Sequence, residues 1–192
     1  MARAKLGVGT RREAVVDAAV RQFSKAGYDG TTMRDIALES GMLPGSIYYH
    51  FTSKEQLFIA VHEQSVQRIC DSVMRAIDPN ADAWTRLTQA AEGYLDGMLN
   101  NYTYASIIIT EFPRRRSKKL RDRLISNRQR FEKLFAEIIE DLPLRKNVSP
   151  SYFRLGLLGM LAWTYIWYRP EGRDTPTIIA QKLVDLWKNG TV

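Results

Sequence analysis

Residues 32–51, TMRDIALESGMLPGSIYYHF, leave few folds open to the chain around them. Thr32 with Asp35 three positions later is a capping box, in which each side chain satisfies a backbone N–H that the first helical turn cannot, so a helix is predicted from about 33 to 40. Gly41 stops it, since glycine enters the left-handed conformation that ends helices without a Cβ penalty. Pro44, with its φ already helical, opens a second short helix to Phe51. Two short helices joined by the turn Gly41–Leu43 have the helix-turn-helix layout, in which the second helix enters the major groove of DNA. Ile36, Ala37, Met42, Ile47 and Phe51 fall where they tie the helices together. Gly45, Ser46, Tyr48 and Tyr49 are then left facing solvent, short or rigid enough to meet base edges, thymine methyls and phosphates at little entropic cost.

Helical periodicity recurs along the rest of the chain. Val15, Ala18, Ala19, Gln22 and Phe23 form a narrow core stripe over 10–26 that ends at Gly27, and Ser53 with Gln56 is a second capping box, starting a helix near 54. Leu120, Leu124, Phe131, Leu134, Phe135, Ile138 and Leu142 mark one face of a long helix over about 117–142. Ser149-Pro150 and Thr175-Pro176 each set an N-cap before a proline at the first helical position. The run SIIIT, 106–110, is strand-like in composition, but its isolation argues for a short helix. Nothing alternates with period two, so an all-α fold of about nine helices is expected.

Several function classes drop out on composition. The 192 residues carry a net charge of +7, which suits an anionic partner, and a single cysteine, Cys70, so no internal disulfide forms and a reducing cytosol is the natural compartment. The first residues are basic but lack the apolar core of a secretory signal. The longest greasy run, LGLLGMLAWTYIWY at 155–168, has 14 residues, against about 20 for a membrane span. It is apolar around its whole circumference, as a helix buried on several sides by a subunit interface would be. Two histidines and one cysteine furnish no metal site, no phosphate-binding glycine loop or nucleophile–base pair is present, and no enzyme, cofactor or metal is expected. A helical interaction or membrane-surface protein would account for the charge and the apolar helix, though not for the second short helix of the pair.

The segment REAVVDAAVRQFSKAGYDG, followed by TTMRDIALESGMLPGSIYYHFTSKEQLF, resembles the N-terminal domain of the TetR family of bacterial transcription regulators over roughly 10–62. The resemblance implies a DNA-binding domain over 10–56, behind a basic N-terminal arm of residues 1–9. Arg3, Lys5, Arg11 and Arg12 could enter a minor groove as an arm does, with a solvated tail over 1–9 as the plainer reading. It implies base or sugar contacts from Gly45, Ser46 and Tyr48, phosphate contacts from Thr32, Tyr49, His50 and Lys54, and a base or phosphate contact from Arg34. The plainer reading makes Tyr48 and Tyr49 packing aromatics and His50 a helix cap. Where the family's turn often supplies Ser or Thr, this chain has Leu43, which removes an N-cap and a phosphate contact.

The family likeness further implies that residues 57–192 form a helical effector-binding and dimerisation domain. The last two helices, about 150–168 and 175–188, would build a four-helix dimer bundle through Leu158, Leu183, Leu186 and Trp187. The partners expected are a palindromic double-stranded operator, a second copy of the chain and a small hydrophobic effector, with repression as the default output. The ending WYRPEGRDTPTIIAQKL is similar to a subgroup that includes sensors of acyl-CoA thioesters. Charge is compatible with that: residues 113–130 hold nine Lys or Arg against Asp122, or +8, while residues 1–54 hold eight basic and five acidic side chains, or +3. Arg115, Arg116 and Lys119 would take the phosphates of an acyl-CoA, and Tyr94, Met98, Tyr102, Ile108, Phe112, Phe131, Trp163 and Trp167 its tail. A solvated helix face is the plain reading of the same charges, and a free fatty acid, a sterol-like or a planar aromatic compound the other effector class.

Overall fold

A computed structural model describes residues 8–110 and 117–191. Among them lie nine helices and no strand: α1 Val8–Gly30, α2 Met33–Glu39, α3 Pro44–Ile47, α4 Lys54–Ala76, α5 Ala83–Leu99, α6 Tyr102–Thr110, α7 Lys118–Glu140, α8 Pro150–Trp167 and α9 Pro176–Thr191. SIIIT is helical, within α6. No helix among the described residues is long and apolar enough to cross a membrane. The chain forms two compact units, 1–65 with 106–125, and 66–105 with 126–192. The dividing points fall inside α4, α6 and α7, so the first unit takes in more of α4 than the expected limit at residue 56, and also the start of α7.

In the first unit the capping box forms as expected: Asp35 N donates to Thr32 Oγ1 at 3.2 Å, and Thr32 N to Asp35 Oδ2 at 2.9 Å. Gly41 sits at φ 67°, and the N–H groups of Gly41 and Met42 donate to the carbonyls of Leu38 (3.1 Å) and Ala37 (2.9 Å). This closing pattern satisfies the last carbonyls of α2 and requires a residue that tolerates positive φ. Ile36, Ala37, Ile47 and Phe51 are buried, which locks α2 to α3. The stripe on α1 is wider than periodicity suggested, adding Val16 and Val20, while Gln22 stays half-buried and donates to Glu39. The reason is that α1 is covered on several sides. Its Phe23 meets Phe58 of α4 edge-on at 5.1 Å, and its Ser24 Oγ accepts from Ser106 of α6 at 2.9 Å.

The start of α4 is capped differently from the expected reciprocal box. Ser53 Oγ accepts from Gln56 N at 3.1 Å, but the Gln56 side chain turns back to Thr52, accepting from its N–H at 2.8 Å. The Gln56 N–H is satisfied as in a capping box, while the return bond goes to the N–H one residue before the N-cap.

The second unit is built around α5, which packs against α8 and α9 and lies so close to α4 that a Cβ on Gly93 would stand 2.7 Å from Ser72 O. Leu87, Leu95, Met98, Phe135, Ile138, Phe153, Leu157 and Leu161 fill its core. Two of the four residues expected at a dimer interface belong to this core or its cover. Leu158 is buried within its own subunit, and Trp187 lies over Gly156, with its ring 5.0 Å from Phe153 and its indole N–H directed to Met160 Sδ at 3.0 Å. Leu183 is half-buried and Leu186 is exposed. The apolar surface of α8 is instead the stripe Tyr152, Leu155, Trp163, Ile166 and Trp167, with Ile178 and Leu186 exposed on α9. An all-round apolar helix has two greasy sides, and the one facing α5 and α9 is spent on the subunit's own core.

Candidate nucleic-acid interface

The reading surface begins with α3, a single turn held from behind. Ile47 is fully buried, and its carbonyl accepts the N–H groups of His50 and Phe51, both at 3.0 Å. The backbone loosens after Ile47, so the regular helix ends four residues before the expected Phe51, and Tyr48–His50 form turns. Pinning one side by Ile47 and Phe51 turns the other outward: Tyr49 is 91% exposed, which excludes it as a packing aromatic, while Tyr48, at 51%, keeps about half its surface against the protein. Ser46 is half-buried. Gly45 is exposed, has no positive φ, and a Cβ there would meet no atom within 4 Å. Neither turn geometry nor internal packing demands glycine at 45.

Thr32 and Arg34 are exposed on α2, and the Thr32 hydroxyl also donates to Asp35 Oδ2 at 2.6 Å, so it serves the cap first. These hydrogen bonds from Thr32 hold the Asp35 carboxyl below the usual carboxylate range. His50 is half-buried and lines a pocket of about 470 Å³ with Arg12, Lys119, Arg123, Glu55 and Glu63, a mixed-charge surface. Arg12 lies over the Phe51 ring at 4.8 Å, a contact that sequence reasoning missed and that no local pattern signals.

Lys54, expected to contact a phosphate, is engaged within the free protein. Its ammonium donates to the carbonyls of Tyr28 at 2.7 Å and Thr31 at 2.8 Å, and lies 4.4 Å from the centre of the Tyr28 ring. Two of its three protons are therefore committed to the α1–α2 turn, where carbonyls at the end of α1 lack helical partners. In this position Lys54 ties the start of α4 to that turn.

The described residues expected to bind an effector are divided between the two units. Tyr94, Met98 and Phe131 are buried in the second unit, with Tyr94 5.9 Å from Phe131 and 6.1 Å from Phe135, and burial pushes the Tyr94 phenol well above its usual range. Trp163, 63% exposed, and Trp167 lie on the outer stripe of α8. Tyr102 is exposed and stacks on Tyr165 at 4.4 Å. Ile108 is half-buried and Lys119 exposed, both in the first unit. Phe112, Arg115 and Arg116 lie outside the described residues, as do Arg3 and Lys5 of the arm. Free Cys70 is buried, which pushes its thiol up, and among the described residues no cluster of His, Cys, Asp or Glu could hold a metal ion.

A helix-turn-helix with an exposed turn, followed along the chain by a larger set of helices, is the layout of a DNA-binding regulator. Residues 15–61 match the bacterial regulatory proteins of the tetR family, and residues 80–191 match the tetracyclin repressor-like C-terminal domain. The chain belongs to the tetR family and is a DNA-binding transcription regulator, not an enzyme. It is 24% identical over 192 residues to the HTH-type transcriptional repressor KstR2 of Mycobacterium tuberculosis, covering 95% of this chain and 94% of that one. Over 69 residues it is 39% identical to the biofilm-operon negative transcriptional regulator IcaR of Staphylococcus aureus, covering 36% of this chain and 35% of IcaR. In fold it is similar to AibR in complex with isovaleryl coenzyme A and operator DNA, with a TM-score of 0.79 at 24% identity over 92% of this chain and 97% of AibR.

Proposed function

We propose that this protein is a cytoplasmic repressor that binds a palindromic operator as a homodimer and is released by an acyl-CoA thioester. The observation that carries the DNA half is the turn Gly45–Tyr49, bare on one side, pinned on the other, and holding a glycine that the fold itself does not need. Gly45, Ser46 and Tyr48 contact bases or sugars, and Thr32, Arg34, Tyr49 and His50 support them along the backbone. Two such turns must lie about 34–36 Å apart to meet successive major grooves on one face of the duplex, which calls for a dimer. The exposed stripe Leu155, Trp163, Ile166 and Trp167 with Leu186 supports α8 and α9 as the paired surface, because single apolar patches of that kind rarely stay in water.

The effector class rests on two features. The second unit buries Tyr94, Met98 and Phe131, side chains whose chemistry suits an acyl tail, and residues 113–130 carry +8, suited to phosphates. The thioester bound in the structure of AibR is of this class. A ligand that prefers a dimer with another spacing of its reading turns withdraws affinity from the DNA complex by linkage, typically by about 1–3 kcal/mol. The test is titration of the protein on an operator selected from random DNA, using acyl-CoA, the matching free acid and CoA alone. Release by the thioester and not by the acid is expected, and weaker release after Arg115, Arg116 and Lys119 are changed to Glu. Equal release by the free acid overturns the effector, and selection that returns no palindrome overturns the operator.

A further inference from the structure

We propose that Leu43 is a specificity-determining residue, reading the 5-methyl group of a thymine through its bare isobutyl side chain. The proposal rests on the DNA-reading role of α3. Leu43 precedes Pro44, its side chain is 75% exposed, and it makes no capping hydrogen bond. Folding therefore explains neither its size nor its chemistry. Its backbone does the structural task alone, the carbonyl accepting the Ser46 N–H at 2.9 Å. A serine or aspartate here would cap the helix as well, and residues of that kind are preferred at this position.

Position gives the side chain its use. The residues at the start of a second helix in this layout meet base edges in the major groove, and Leu43 is the N-cap of α3, two residues before Gly45 and three before Ser46. An aliphatic side chain has no donor or acceptor for a base, and the group in that groove that rewards apolar contact is the thymine methyl. The side chain also leaves a backbone that is held. A residue before proline is confined to extended conformations, and Leu43 sits at φ −70° and ψ 143°. Leu38 is still more exposed, at 82%, but it lies on α2, the helix that crosses the sugar-phosphate backbone in this layout, where no methyl is presented.

Deoxyuridine scanning of the operator isolates the contact, because uracil lacks the methyl and pairs as thymine does. Burial of one methyl corresponds to about fourfold in affinity, so one thymine per half-site is expected to lose about fourfold on conversion to uracil with the wild-type protein. Leu43→Ala should bind the thymine and uracil operators alike at that position and keep its sensitivity elsewhere. Leu43→Ser, which restores a cap, should melt no lower than wild type and show the same loss of methyl preference, separating recognition from folding. Operator binding with an unchanged uracil penalty in both variants overturns the assignment and leaves the DNA-reading turn standing, as does wild-type binding indifferent to uracil throughout. Failure of the wild-type protein to select any operator overturns both.

Discussion

Replacing Lys54 by Met removes a charge and keeps the length of its stem, and the two things that charge does can be separated. The ammonium bonds the carbonyls of Tyr28 and Thr31 at 2.7 and 2.8 Å and faces the Tyr28 ring at 4.4 Å. A hydrogen bond to a charged group contributes about 1.5–3 kcal/mol; the half-buried setting puts each bond at or below the lower end, and the ring contact adds about 0.5–1 kcal/mol. Part of this is offset because methionine carries no charge to desolvate and fills the same apolar path. A net loss of about 2–3 kcal/mol is expected, which for a chain of this length lowers the melting temperature by about 5–10 °C. Circular dichroism melts give that shift, and fluorescence anisotropy with labelled operator at several salt concentrations gives the electrostatic count. A lysine on phosphate contributes about 0.9 to the slope of log affinity against log salt. For a clamp, that slope stays unchanged at temperatures where the variant is folded. An unshifted melt with a slope reduced by about one charge would place the ammonium on DNA and refute the clamp.

Gly45→Ala should melt at or slightly above wild type, by about 0.5–1 kcal/mol of helix propensity, yet bind operator more weakly, because the Cβ enters space that is open in the free protein. Equal DNA affinity would show that nothing approaches that position. At the proposed dimer surface, Leu155→Glu with Leu186→Glu should yield a folded monomer by analytical ultracentrifugation, whereas Leu158→Glu should unfold the subunit, since Leu158 is buried in its own core. A folded Leu158→Glu protein would contradict that placement. His62 is buried, and desolvation lowers its pKa to about 4 from 6.5. The unfolded chain therefore binds a proton that the folded chain does not between those values, so this contribution is complete above pH 6.5 and is lost as pH falls toward 4. Urea midpoints measured from pH 7 to 4.5 should fall less steeply in His62→Gln; identical slopes would show that another group controls acid unfolding.

The helix-turn-helix was legible because its determinants are local. The box of Thr32 and Asp35, the positive φ of Gly41 and the fixed φ of Pro44 act within a few residues and need no distant partner, and the period of Ile36, Ala37 and Ile47 then settles which side faces inward. The outward side, with Gly45, Tyr48 and Tyr49, follows by subtraction. Leu43 was visible too, but only as a cap that was missing, since its exposure could not be known until the packing of α2 against α3 was in place.

Other assignments depended on what the chain brings together from a distance. Lys54 reads as a surface cation until the end of α1, 26 residues earlier, presents the Tyr28 carbonyl to its ammonium. Gly93 gives no sign of being obligatory until α4 passes within 2.7 Å of its absent Cβ. The clearest case is α8, where 155–168 is apolar on every side and its period cannot say which side the subunit keeps. Packing of α5 and α9 decides that: Leu158 turns inward, and Leu155, Trp163 and Ile166 stay outside. Local sequence encodes conformations and caps because backbone groups must be satisfied within a turn or two, whereas the choice between two equally apolar faces is made by whichever neighbour arrives to cover one of them.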